Sequence, residues 1–245
     1  MKKWINLIKS WFRKRRELKL PVIYCVHGFG IRRTIEFDPL RKYFESKGHQ
    51  VVCVDLFDQL NEKDDDPQVW FSRAELGLKN LSAQKRKIWL VGFSMGGVIA
   101  TKLASIYPVE RVVLLAPAFE YLSLQTVINV AEKVARKVTN KPKVIPSTYP
   151  ALPDHFTLTF RKIVLMCKDA IDEVDVPVLF LHGSDDEVIP VRSSQNAYAK
   201  LAHPKKLLMV IEGVNHRLLD DEYHNQDILK IIECFFKKQI IKEDR

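Results

Sequence analysis

The stretch Ile88-Trp89-Leu90-Val91-Gly92-Phe93-Ser94-Met95-Gly96-Gly97-Val98-Ile99-Ala100 decides how the chain is read. Ile88 to Val91 is a short apolar run of strand character, and from Met95 to Ile106 the spacing predicts a helix. Between them lies G-x-S-x-G. A sharp strand-to-helix turn holds its serine in strained backbone geometry with the hydroxyl exposed, and the small flanking residues avoid clashes. The helix N-terminus beside it favours negative charge developing on a bound group. A plain serine N-cap leaves the three surrounding glycines unexplained. Ser94 is therefore the candidate nucleophile. A dinucleotide-binding reading fails, because Gly92 to Gly97 lacks the middle glycine needed for close pyrophosphate approach.

Outward from this turn, short β-branched runs alternate with helical patterns. Expected strands are Val22–Val26, Val51–Asp55, Ile88–Val91, Arg111–Leu115, Val178–His182 and Leu207–Ile211. Most are continuous apolar runs, as parallel strands covered on both faces require. Helical patterns fall at Pro39–Lys47, Trp70–Lys79, Met95–Ile106, Val191–Leu201 and Asp220–Lys238. The succession predicts an α/β architecture: a mostly parallel sheet of about six strands with helices on both faces. One segment breaks the rhythm. Between Leu115 and Val178 stand two helical patterns, Glu120–Val138 and Thr157–Asp172, joined through Pro142, Pro146, Pro150 and Pro153. Four prolines make an extended connector, and residues 118–174 read as an inserted helical cap. Its Leu122, Leu124, Val127, Ile128, Leu158, Ile163 and Leu165 are expected either to line a pocket or to form core between cap and body.

A nucleophilic serine needs a base and an acid that orients it. Loops after parallel strands share one end of the sheet. After Val178–His182 comes Gly183-Ser184-Asp185-Asp186-Glu187-Val188-Ile189-Pro190, with two candidate aspartates. After Leu207–Ile211 comes Glu212-Gly213-Val214-Asn215-His216, and His216 alone of the seven histidines directly follows the last strand. His216 is the candidate base. His49, His155, His203 and His224 read as structural or solvated, and His27 and His182 as packing residues near the site. An acyl-transfer site also needs two backbone N–H donors for the oxyanion, one after the nucleophile and one after an early strand. Met95 and Phe29, the latter in His27-Gly28-Phe29-Gly30, occupy those positions.

Val-His-Gly-Phe-Gly, Gly-Phe-Ser-Met-Gly-Gly, His-Gly-Ser-Asp-Asp-Glu-Val-Ile-Pro and Gly-Val-Asn-His together resemble the α/β-hydrolase family. More narrowly they resemble short bacterial carboxylesterases and monoacylglycerol lipases with a small helical cap. The resemblance spans about residues 21–240. It implies a serine hydrolase of short- to medium-chain esters or monoacylglycerols, with a Ser94, Asp186 and His216 triad and no cofactor or metal. It favours Asp186 over Asp185, through G-x-x-D-x-x-[VI]-P. The usual first antiparallel strands have no counterpart before Val22, which implies a reduced sheet. A thioesterase, a peptidase or a cofactor-free haloperoxidase uses the same groups, whereas a dehalogenase needs a carboxylate where Ser94 stands. A non-catalytic membrane-surface module is the alternative from another class.

The 245 residues carry 39 Lys plus Arg against 30 Asp plus Glu, a net +9. Residues 1–20 hold eight of the cations and one acid, a net +7, which leaves 31 cations and 29 acids, a net +2, on the rest. A near-neutral body disfavours nucleic acid as a partner. On a helical projection Trp4, Ile5, Leu7, Ile8, Trp11 and Phe12 share one face of the arm, with lysines opposite. The arm is too short and too interrupted to span a bilayer. It either lies in an anionic membrane interface through residues 1–16 or docks its tryptophans on the body. Cys25, Cys53, Cys167 and Cys234 lack metal-ligand spacing and read as reduced packing residues of a cytoplasmic protein.

Overall fold

The computed structural model describes residues 20–121 and 152–241; the basic arm and the first helical pattern of the expected cap lie outside the described residues. Strands β1 (Val22–Val26), β2 (Val51–Val54), β3 (Ile88–Phe93), β4 (Arg111–Leu115), β5 (Val178–Gly183) and β6 (Lys206–Ile211) form one sheet in the order β2-β1-β3-β4-β5-β6. Every neighbouring pair is parallel. All residues of β1, β3, β4 and β5 are buried, whereas the edge strands β2 and β6 are only partly so. The continuous apolar runs of the inner strands follow from cover on two faces.

Side chains alternate between those faces. Val22, Tyr24 and Val26 enter one core, under α2 (Pro67–Ala83), α3 (Met95–Ile106), α4 (Phe156–Cys167) and α5 (Arg192–Lys200). Ile23 and Cys25 enter the other, under α1 (Asp38–Glu45) and α6 (Asn225–Phe236), where Trp89 stacks on Phe236 at 4.5 Å. Helix α2 begins three residues earlier than its apolar spacing predicts. Asp66 caps it by accepting the Gln68 N–H, and Pro67 fills its first turn. Helix α6 begins later than expected, after a 3₁₀ turn at Leu218–Asp220. A second such turn, Arg33–Phe37, has no counterpart in the periodicity.

The second helical pattern of the expected cap is α4, continued by a 3₁₀ turn at Lys168–Glu173. Its Phe156, Phe160, Ile163, Val164 and Cys167 join the same core as α2 and α3. Of the residues expected to line a pocket or form core, Ile163 is core, whereas Leu158 and Leu165 point outward at 53% and 59% exposure. Their spacing puts them on the helix face opposite the buried phenylalanines. Leu122, Leu124, Val127 and Ile128 lie outside the described residues.

The chain passes from β1 outward to β2, then returns past β1 to β3. The strand order therefore reverses beside β1, and the crevice at the carboxyl ends of β1 and β3 is where such sheets bind ligands. Trp70 of α2 anchors the helical layer near this end. It is fully buried, packs on Phe57 at 4.4 Å and Phe156 at 5.2 Å, and donates its indole N–H to the Asp64 carbonyl at 2.7 Å. Trp70→Ala is expected to lower the unfolding free energy by about 3–5 kcal/mol, read from urea denaturation followed by far-UV circular dichroism.

Candidate active site

Ser94 joins β3 to α3 with φ 53° and ψ −118°, a conformation rare for a residue with a side chain. The strained turn is held from both sides. The Ser94 N–H donates to the Leu115 carbonyl at 2.9 Å, and the Ser94 carbonyl accepts from Gly97 and Ala118, each at 3.0 Å. Its tightness depends on absent side chains. A Cβ at Gly96 would lie 2.0 Å from the Val26 carbonyl oxygen, and one at Gly92 would lie 2.5 Å from the Gly96 carbonyl oxygen. The elbow is thereby pressed against the end of β1.

The loop after β5 carries Asp186 and the loop after β6 carries His216, and the two side chains meet. The Asp186 carboxylate is fully buried. One oxygen accepts the N–H groups of Val188 and Ile189 at 2.9 and 2.8 Å, and the other accepts the His216 Nδ1–H at 2.7 Å. Burial by itself would raise the Asp186 pKa. The His216 charge, contacts with His182 and His216 and the Ile189 N–H together outweigh it, holding the carboxyl well below the usual carboxylate range. With its Nδ1 proton committed to Asp186, His216 leaves Nε2 as the proton acceptor, the tautomer a general base needs. Asp185 is turned away and accepts the Ser184 hydroxyl at 2.8 Å. Ser94 and His216 are not hydrogen-bonded to each other. They are neighbours through Phe93, whose ring lies 4.9 Å from the imidazole, and such contacts commonly tighten only around a substrate.

The loop after β1 lies against the elbow: a Cβ at Gly28 would be 3.1 Å from the Ser94 Cβ. Both polar groups of Gly28 are tied down. Its carbonyl accepts the His27 Nδ1–H at 2.7 Å, because His27 Nε2 accepts the Leu56 N–H at 3.0 Å and fixes the tautomer. The Gly28 N–H donates to Glu36 Oε2 at 3.2 Å. Among the described residues no acceptor takes the next N–H, that of Phe29, nor that of Met95 at the start of α3. Phe29 also packs on Phe160 and Trp70, at 5.4 and 6.4 Å.

Two contributors were not legible in the motifs. His182, expected as packing, places Nε2 3.0 Å from the Ile189 carbonyl and 3.1 Å from Asp186 Oδ2. Facing only acceptors there, Nε2 carries the proton, and Nδ1 accepts the Ser194 hydroxyl at 2.7 Å. His182 thus supports the acid from behind. Glu36 had no signal, since only the 3₁₀ turn at Arg33–Phe37 carries it under the β1 loop. Burial pushes its carboxyl up to about 7, against the pull of Arg217, the Gly28 N–H, Arg32 and His216.

The family model described as the alpha/beta hydrolase family matches residues 23–228. Among solved structures the chain is similar to the metagenome-derived lipolytic enzymes LipS and LipT, at 18% identity and TM-score 0.71 over 88% of this chain and 93% of that one. It is similar to the monoacylglycerol lipase of Paleococcus ferrophilus, at 16% identity and TM-score 0.69 over 89% and 94% of the two chains. A soluble variant of monoglyceride lipase from Saccharomyces cerevisiae, solved with a substrate analogue, has 15% identity and TM-score 0.71 over 91% and 87%. A stretch of 43 residues is 44% identical to the Bacillus subtilis protein titled "Uncharacterized protein YqkD", spanning 18% of this chain and 14% of that protein.

Glu36 binds its proton more tightly folded than unfolded, so it favours the folded state below about pH 4.5 and that contribution is lost as pH rises to about 7. Glu36→Gln, neutral throughout, is expected to equal wild type near pH 4 and to exceed it near pH 8 by up to about 3 kcal/mol. His27, pushed down to about 4 by burial, adds a slope of opposite sign below its ordinary 6.5. The variant-minus-wild-type difference in urea unfolding at each pH isolates Glu36; a pH-independent difference overturns this reading.

Proposed function

The chain belongs to the α/β-hydrolase family, and on that premise we propose that it is a serine hydrolase cleaving carboxylic esters through Ser94, His216 and Asp186. The observation that carries the reading is the Asp186–His216 contact of 2.7 Å, formed by two strand-end loops beside a serine held at positive φ. His216 Nε2 takes the Ser94 proton as the hydroxyl oxygen attacks the acyl carbon. The N–H groups of Phe29 and Met95 receive the oxyanion, each such donor being worth roughly 3 kcal/mol in the transition state. Asp186 stabilises the imidazolium, which then protonates the departing alcohol, and water repeats the sequence on the acyl-enzyme. His27 and Glu36 act as positioning residues, since they fix the two sides of Gly28 and with it the direction of the Phe29 N–H.

The proposed substrates are short- to medium-chain esters or monoacylglycerols. That choice draws on structural relatives named as monoacylglycerol and monoglyceride lipases, and on the apolar ring of Phe29, which continues through Phe160 to Tyr121 at 5.0 Å. Among the described residues no helix is long and apolar enough to cross a membrane. We assign the +7 arm a peripheral role: its tryptophan face and lysines suit contact with an anionic leaflet, the body staying at +2 in the cytoplasm.

On a series of p-nitrophenyl esters of graded acyl length, Ser94→Ala is expected to abolish turnover and labelling by a fluorophosphonate. Asp186→Asn should cost up to about 10⁴ in kcat through the wrong histidine tautomer, and Asp185→Asn should stay near wild type. Undiminished turnover in the serine variant, or a large loss confined to Asp185→Asn, refutes the assignment. In vesicle sedimentation with anionic lipid, the full chain is expected to pellet and a chain starting at Leu20 to stay in the supernatant; equal recovery of both refutes the membrane role.

A further inference from the structure

Cys25 and Cys53 lie directly opposite each other on β1 and β2, in parallel register and on the same sheet face, toward α1. In-register neighbours in a sheet are about 4.8 Å apart, and disulfides close between Cα atoms roughly 4.4–6.8 Å apart. Both thiols are free. They are not equivalent: Cys25 is buried in the core, whereas Cys53 is half-buried on an edge strand. Arg41 of α1 stands beside Cys53, its guanidinium also 3.4 Å from Asp38. A nearby cation is what makes a thiol a nucleophile at neutral pH.

We propose that Cys53 and Cys25 form a peroxide-responsive dithiol, with Cys53 as the attacking thiolate and Cys25 as the residue that resolves it. The chemistry of the two sulfurs agrees. Interaction with Cys25 pulls the Cys53 thiol below its ordinary value against the opposing effect of burial, and Arg41 adds to the lowering over the weaker counter-effect of Asp38. Burial keeps the Cys25 thiol well above its ordinary value. Cys167, by contrast, is pushed up to about 12 by burial. In the first step the Cys53 thiolate attacks one oxygen of hydrogen peroxide, the O–O bond breaks, hydroxide leaves and Cys53 becomes a sulfenic acid. In the second, Cys25 loses its proton as its sulfur attacks the Cys53 sulfur. The S–O bond breaks, water leaves, and the two electrons given to peroxide are accounted for by one disulfide. The bridge would join an edge strand to the strand that runs directly into His27-Gly28-Phe29. It is independent of the hydrolase reading.

The test is peptide mapping of the full-length protein after limited hydrogen peroxide at pH 7, with free thiols then blocked by N-ethylmaleimide. A Cys25–Cys53 cross-linked peptide is expected before any change at Cys167 or Cys234, and dithiothreitol should reverse it. Cys25→Ala should leave a Cys53 sulfenic acid trapped by dimedone. Arg41→Gln should slow Cys53 oxidation at pH 7 by about 5- to 10-fold, the effect of roughly one pKa unit on the thiolate fraction. Four thiols equally labelled after peroxide, a bridge to another cysteine, or Cys53 carried to sulfinic acid with Cys25 still free would each overturn the proposal. The wild-type map alone decides if Cys25→Ala does not fold.

Discussion

The candidate site depends on one steric constraint, the approach of the elbow backbone to the end of β1. Only hydrogen at Gly96 lets α3 start where the Val26 carbonyl stands, since a Cβ would lie 2.0 Å from that oxygen. The same closeness sets Ser94 against Gly28 and keeps the first turn of α3 beside the loop that carries Phe29. Strain at Ser94 persists because the Leu115, Gly97 and Ala118 backbones bind both its polar ends, so the surrounding sheet determines the conformation. The strained serine and the nearby N–H groups thus share one geometric cause.

Near His216 lie two buried carboxyls whose proton affinities shift in opposite directions. Asp186 receives two backbone N–H groups and an imidazole N–H, with a second imidazole behind it, and stays ionised. Glu36 has one N–H donor at 3.2 Å and a burial cost that its arginine neighbours do not offset, so its carboxyl is pushed toward neutrality. Both side chains are acids in low-dielectric surroundings; at Asp186 the His216 charge and the imidazole and backbone donors outweigh burial, and at Glu36 burial wins. The charged one can stabilise an imidazolium, while the other holds the β1 loop in place.

Much of this is legible in the sequence. Six strands appear where β-branched runs lie, because parallel strands buried on both faces tolerate little else. The helix at Met95–Ile106 has the expected bounds, since the glycine turn and Tyr107 mark its ends. The largest boundary difference is at the inner strand β3, which runs two residues further than its apolar run, through Gly92 and Phe93 up to the serine turn, whereas the edge strands β2 and β6 each differ by one residue. Leu158 and Leu165 misled because hydrophobicity alone does not tell which face of α4 meets the core; the phenylalanines at 156 and 160 decide it by bulk. Glu36 was invisible because a 3₁₀ turn has no apolar period to betray it.

By itself the sequence determined the layer order, the strained serine turn and the histidine after the last strand, because each rests on local backbone preference and on periodicity within a few residues. Its residues offered both Asp185 and Asp186, and the family pattern favoured Asp186. Tertiary structure shows which of them meets the histidine: Val188 and Ile189 donate to Asp186, whose other oxygen reaches His216, while Asp185 accepts from Ser184. It also decided which acids carry charge and which cysteines meet. Those properties depend on burial and on contacts that only folding makes, such as Asp186 with His216 and Cys25 with Cys53, and no local pattern encodes either.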